Sequence, residues 1–470
     1  MGDPGVRVAV CDDAGMTTCT LHRVETNLSC RSCGTPVCAD CAVRTPMGVS
    51  CPEHAGSAKK DAVAAKQPRR ERSGNSRRVM VGSLALVVLA AAVVFLRPSG
   101  GGEKSTAAAG AWRPMPGAGL AARTDFSFVS TGLGMIVWGG NGDGPYADGA
   151  TYDIATSAWK PLPAAPISAR RGHSAVWTGS SMIVFGGRGR ADGCRQICAL
   201  NDGAAYDPAT DRWSPIAPAP LAGRGGHTAV WIQDRMVVWG GAVEGGAAVG
   251  DGASYDPATN AWTPLPAAPL EPRVSHRTVA TAHRMLVWGG SSEVEEGGKY
   301  FADGAIYSPA ANAWTPMAPY PQTTEPAARD TFSSVWTGRQ MLVWGGYGRT
   351  EACRPCQHDD GAAYDLDTDS WTLMTPSPLS GRGGHRAVWT GKEMVVWGGF
   401  STTELNDGAA YNPVTDTWSQ LPGSPLLPRQ GQAMVWAGGQ MVVWGGHGPH
   451  GEGETRNANH DDGAVLSLRS

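Results

Sequence analysis

The chain has 470 residues, too many for one ordinary domain and enough to bury a sizeable core. Its net charge of -3 excludes bulk-charge attraction to nucleic acid, and 64 glycines and 34 prolines without a collagen period suit many short strands joined by tight turns. Eighteen tryptophans need a structural reason, and the eleven cysteines are unevenly spread, seven before residue 55 and four in two tight pairs much later.

Taken in chain order, the first feature is a set of four Cys/His pairs: Cys19 with His22, Cys30 with Cys33, Cys38 with Cys41, and Cys51 with His54. Eight such ligands suffice for two tetrahedral sites with no open position, which makes the expected cofactor structural zinc, not catalytic zinc. Cys11 fits no pair, and a disulfide knot is the alternative. The segment 15–58 resembles a B-box-type zinc finger, a family in which the pairs interleave. The resemblance implies one zinc held by Cys19, His22, Cys38 and Cys41, and a second held by Cys30, Cys33, Cys51 and His54. So short a segment has little apolar core, so the metal would supply most of its folding energy.

Residues 59–78 form a basic linker, and residues 79–96, VMVGSLALVVLAAAVVFL, carry no charge. Eighteen apolar residues lie near the lower limit for crossing a hydrocarbon core of ~30 Å. The span follows 78 residues and no obvious cleavage site comes after it, which argues against a removed leader. Lys59, Lys60, Lys66, Arg69, Arg70, Arg72, Arg77 and Arg78 precede it, whereas only Arg97 and Lys104 closely follow. The positive-inside rule then predicts a single-pass protein of the cell membrane, N-terminus cytoplasmic and C-terminal part extracytoplasmic. Residues 97–111 read as a flexible tether.

From Trp112 onward the sequence repeats about every fifty residues. Each unit starts with an Arg (Arg123, Arg170, Arg224, Arg273, Arg329, Arg382, Arg429). A Gly-Gly pair follows, beginning at Gly139, Gly186, Gly240, Gly289, Gly345, Gly398 and Gly445. Then comes Asp-Gly-Ala, at Asp148, Asp202, Asp251, Asp303, Asp360, Asp407 and Asp462. A Trp closes the pattern, at Trp112, Trp159, Trp213, Trp262, Trp314, Trp371 and Trp418. Every unit reads as four short strands separated by Gly, Pro and Asp turns. The Gly-Gly, the Tyr (Tyr152, Tyr206, Tyr255, Tyr307, Tyr364, Tyr411) and the Trp resemble a kelch repeat over the whole of 112–470. The fold expected is therefore mainly β: a seven-bladed kelch-like β-propeller. The first Trp precedes the first Arg and the last unit stops after its third strand, so the N-terminal strand is expected to complete the final blade. Leu466 replaces the Tyr there.

Wide tryptophan rings suit packing between adjacent sheets. The Arg and Asp landmarks share one face and suggest ion pairs tying neighbouring loops together, with an arginine-lined mouth for an anionic ligand as the alternative. His173, His227, His276 and His385 fill a slot three residues after the Arg, where Phe126, Phe332 and Gln432 stand elsewhere, so the slot does not demand imidazole chemistry. Loops between Gly-Gly and Asp-Gly vary from 7 to 15 residues and open on the Arg/Asp face, the expected binding face. Two of them carry the pairs Cys194/Cys198 and Cys353/Cys356, read as local disulfides, with a shared zinc site or a redox CRPC as alternatives. The last loop holds His447, His450 and His460, which a metal could use.

The function expected is a non-enzymatic, membrane-anchored interaction protein, with a protein or glycan ligand on the variable-loop face and a cytoplasmic protein partner for the zinc finger. Similar zinc-binding heads precede some membrane proteases, but a single span with no Ser/His pair inside it argues against that. The main alternative is a carbohydrate-acting propeller of oxidase or epimerase type. It would need an unrepeated acid–base pair near Glu293, Glu296, His358 or His460.

Overall fold

The structure is a computed structural model that describes 43–45, 48–50 and 110–468, except 192–193, 195, 293–297, 322–326, 350–352, 354 and 450–456. The chain divides into two units, Met1–Gly100 and Gly101–Ser470. In the first, Val43–Thr45 pairs antiparallel with Gly48–Ser50. The eight expected zinc ligands, the linker 59–78 and the apolar span 79–96 lie outside the described residues. Among the described residues no helix is long and apolar enough to cross a membrane. The expected single-pass membrane localisation, N-terminus inside and propeller outside, is corrected on that finding. The apolar runs that are described, such as Arg235–Trp239, are strands buried within sheets.

The second unit contains, among the described residues, seven four-stranded antiparallel sheets. In the third sheet Thr228–Ile232, Arg235–Trp239, Gly252–Asp256 and Ala261–Pro264 follow one another in sequence order, and the other blades repeat this. Second strands are buried along almost their whole length because neighbouring blades cover both faces, which is why they read as continuous apolar runs. First strands of successive blades lie side by side around the axis, and that of the first blade, Ser127–Ser130, contacts both Ser174–Trp177 and Ala433–Ala437. The ring is thus closed as a β-propeller. Its last blade is completed by Ala111–Pro114, which pairs with Gly463–Ser467 in the register Trp112 to Leu466.

Two hydrogen-bond rings weld blade to blade. At the outside, each fourth-strand Trp donates its Nε1–H to a carbonyl of the preceding blade: Trp159 to Pro116, Trp213 to Pro163, Trp262 to Ala217, Trp314 to Pro266, Trp371 to Ala318 and Trp418 to Thr375. The bond from Trp112 to Pro422, at 3.0 Å, closes that ring. Nearer the Arg/Asp face, the second glycine of each Gly-Gly donates its N–H to the carbonyl of the next blade's Arg, from Gly140 to Arg170 (2.9 Å) round to Gly446 to Arg123 (3.2 Å). The first glycine has positive φ (69° at Gly139), and a Cβ there would stand 2.6 Å from the His173 ring of the next blade. Only glycine meets both demands.

The histidine slot joins the same seam. Nε2 of His173 lies 2.8 Å from Ser127 Oγ of the preceding blade, and His227, His276 and His385 meet Ser174, Thr228 and Ser333 in the same way. The departures have a reason. Where the slot holds Phe332, Gln432 or Phe126, the preceding blade lacks the hydroxyl and its first strand opens with Arg277, Arg386 or Ala433. Burial, with the neighbouring Arg170, Arg224, Arg273 or Arg382 next in weight, pulls each of the four imidazoles down to about 3. They are therefore neutral at physiological pH and serve packing.

Replacing Trp112 by Ala removes one indole clasp and an interblade packing surface and should cost about 2–4 kcal/mol, read by denaturant unfolding. The histidines set a pH dependence. Their folded pKa lies below the unfolded value of about 6.5, so the unfolded chain binds the extra protons and stability is lost as pH falls from about 6.5 toward 3. Changing all four to Phe, the residue the slot already accepts at 126 and 332, should flatten the fall of melting temperature across that window.

Candidate binding site at the propeller mouth

The seven landmark arginines are fully buried. Arg123 donates through Nε to Ala121 O, through one terminal nitrogen to Gly139 O and Asp148 Oδ1 (2.8 Å), and through the other to Asp148 Oδ2 (3.1 Å). The other six repeat this set, ending with Arg429 on Asp462. Each ion pair lies within one blade and fastens its inner-strand entry to its Gly-Gly and Asp-Gly corners. The link between blades runs through the Arg carbonyl. The expected Arg–Asp ion pairs are thus formed, each closing on its own blade, and the seven guanidiniums are fully buried.

The mouth carries a different set. On the same face, beside the axis, a cavity of about 540 Å³ is lined by Arg171, Arg277 and Arg386 together with Asp125, Thr331 and Gln430. A second, of about 870 Å³, shares Asp125 and Arg171 with it and adds Arg188 and Ser275. Arg171 stands 4.0 Å from Asp125. Arg277 and Arg386 each spend Nε on the carbonyl of the next blade's slot residue, Phe332 at 2.7 Å and Gln432 at 3.0 Å. The Arg386 guanidinium also lies 5.6 Å from the Phe128 ring centre. Among the described residues neither makes an ion pair within 4.0 Å. Burial, then the like charge of Arg277, pulls Arg386 down to about 10, and burial also lowers Arg277 while Asp330 opposes the fall. Burial raises the Asp330 carboxyl, which accepts hydrogen bonds from Ser291 and Thr331. Two cations held together in a half-buried mouth favour an anion beside them.

The candidate rim arginines of the sequence reading are the buried ion-pair residues, whereas the arginines that line the mouth cavity are Arg171, Arg277 and Arg386. Arg277 and Arg386 are marked in the sequence because they break the Ser/Thr pattern that opens the first strands. The variable loops form small ladders here: Arg170–Arg171 with Arg188–Gly189 and Cys198–Ala199, Tyr347–Gly348 with Cys356–Gln357, and His447–Pro449 with Asn457–Asn459. Cys194 and Cys198 form a disulfide. Cys353 and Cys356 are not joined, and the Cys356 thiol instead lies 3.0 Å from the Cys353 carbonyl. His358 is buried 3.5 Å from Asp360, the partner of Arg329, so it belongs to an ion-pair corner. Glu293, Glu296 and His450 lie outside the described residues. His447 meets Asn459 at 3.1 Å, and among the described residues no group of three or more His, Cys, Asp or Glu could hold a metal.

Kelch domain-containing protein 3 from Bos taurus is 32% identical over 108 residues, covering 22% of this chain and 28% of that protein. The Homo sapiens protein of the same name is 33% identical over the same shares. The chain thus spans less than a third of the length of these curated relatives. The family described as the KLHDC2/KLHL20/DRC7 Kelch-repeats domain matches residues 108–266 and 226–446, and with its seven four-stranded blades the chain belongs to that kelch-repeat family.

Proposed function

We propose that the chain is a non-enzymatic interaction module that holds an acidic group of a protein partner at the mouth of its kelch propeller. The observation that carries this reading is the pair Arg277 and Arg386, half-buried at the axis with no carboxylate ion pair among the described residues. The rigid ring positions them, and the variable loops supply the surrounding surface. Kelch-domain relatives agree with a binding role.

For residues 15–58 the reading is two structural zinc ions in a B-box-type finger, supported by the four Cys/His pairs. Such a closed site would present a surface for a second protein partner.

Two measurements test these readings. On a peptide array in which every Glu- or Asp-containing peptide has a Gln/Asn counterpart, the full chain should prefer the acidic member. Arg277→Ala and Arg386→Ala should each weaken that binding about tenfold, or about 1.4 kcal/mol. Equal binding of acidic and neutral members would refute the site. For the finger, elemental analysis of the purified chain should give two zinc per molecule, falling to one in Cys30→Ser. A metal-free chain would refute that reading.

A further inference from the structure

Two residues after each landmark Arg, every blade places a residue with left-handed backbone: Asp125, Gly172, Gly226, Ser275, Thr331, Gly384 and Gly431, with φ between 47° and 67°. Four are glycines, for which this conformation costs little, and three carry side chains, for which it is strained. Thr331, β-branched at φ 47°, is the most unfavourable. The slot borders the mouth: Asp125 and Thr331 line one cavity, and Asp125 and Ser275 the other. At Gly172 and Gly226 an added Cβ would meet nothing within 4 Å, so a side chain there enters open space.

The same slot carries an inner chain of hydrogen bonds. Gly172 donates to Asp125 O (2.9 Å), Gly226 to Gly172 O (3.0 Å), Gly384 to Thr331 O (3.1 Å) and Gly431 to Gly384 O (3.1 Å). All four glycine slots donate. Among the described residues, the N–H groups of Asp125, Ser275 and Thr331 make no such bond. At three of seven positions the ring therefore bears both a strained backbone and a lost interblade bond, and each of the three sets a polar side chain at the mouth.

We infer that Asp125, Ser275 and Thr331 are the specificity-determining residues of the mouth, selecting among acidic peptide segments by contacts to the residues flanking the acidic group. This rests on the binding reading above and assigns the selection to groups other than the arginines. Thr331 stands with Arg277 and Arg386 in one cavity, where its hydroxyl donates to Asp330 and keeps its oxygen as an acceptor for an N–H or O–H of the residue beside the bound acid. Asp125, 4.0 Å from Arg171, offers an acceptor to backbone N–H or hydroxyl groups of the ligand and repels a second acid.

The test is Thr331→Gly alone and the triple variant Asp125→Gly, Ser275→Gly, Thr331→Gly, each in the full chain, on the acidic/neutral peptide array and by thermal unfolding. Expected are a higher melting temperature for Thr331→Gly, and for the triple variant a retained preference for acidic over neutral peptides. The triple variant should also show at least a fivefold narrower spread of affinity among the acidic ones. An unchanged order of peptide affinities, or a lower melting temperature for Thr331→Gly, would overturn the inference while leaving the arginine site standing. Loss of acidic preference in the wild-type chain would overturn both.

Discussion

Everything on the Arg/Asp face depends on a guanidinium removed from water. Each landmark Arg is held by a carboxylate fork, by the first carbonyl of its blade's Gly-Gly and by the carbonyl two residues before it, while its own carbonyl receives an N–H from the preceding blade. Burying an unpaired guanidinium would be prohibitive, so the blade can close only with the Asp-Gly corner in register. Because the partner aspartates remain partly exposed, the pair is less valuable as stabilisation than as a geometric constraint. It fixes three corners of a blade at once, so loops of very different length can leave the same frame without disturbing it.

Much of this could be read from residue order. Gly-Gly, Asp-Gly-Ala and the fourth-strand Trp recur because each does the same job in every blade, and a job repeated seven times leaves a period. The borrowed strand was legible for the same reason, as Trp112 arrives one unit early. What a period cannot convey is direction. The sequence places Arg and Asp on one face, but whether the ion pair spans two blades or one depends on which corner the Arg stem turns toward. That is set by the inward run of the first strand.

The proposed site was hidden for a related reason. Repetition draws the eye to what is constant, whereas a ligand sees what differs. Arg277 and Arg386 occupy positions that hold Ser or Thr in four other blades, and their neighbours Phe332 and Gln432 compensate for the missing hydroxyl. Two apparently unrelated irregularities, a histidine slot without histidine and a hydroxyl slot with arginine, are one coupled exchange across a blade seam. Read together, such exchanges mark where the uniform packing of the ring has given way to a local chemistry.

The seam between Ala111–Pro114 and Gly463–Ser467 bears on how the molecule comes to exist. The indole of Trp112 waits for Pro422, 310 positions further along, and its sheet partner is made later still. Six blades can form from local hairpins as they emerge during synthesis, but the seventh cannot assemble until nearly the entire unit has been translated. Contacts of such sequence separation are slow to form. The nascent propeller must therefore pass through an open, horseshoe-like stage with two unsatisfied sheet edges. This is the period in its life when it is most exposed to self-association and most in need of chaperone protection.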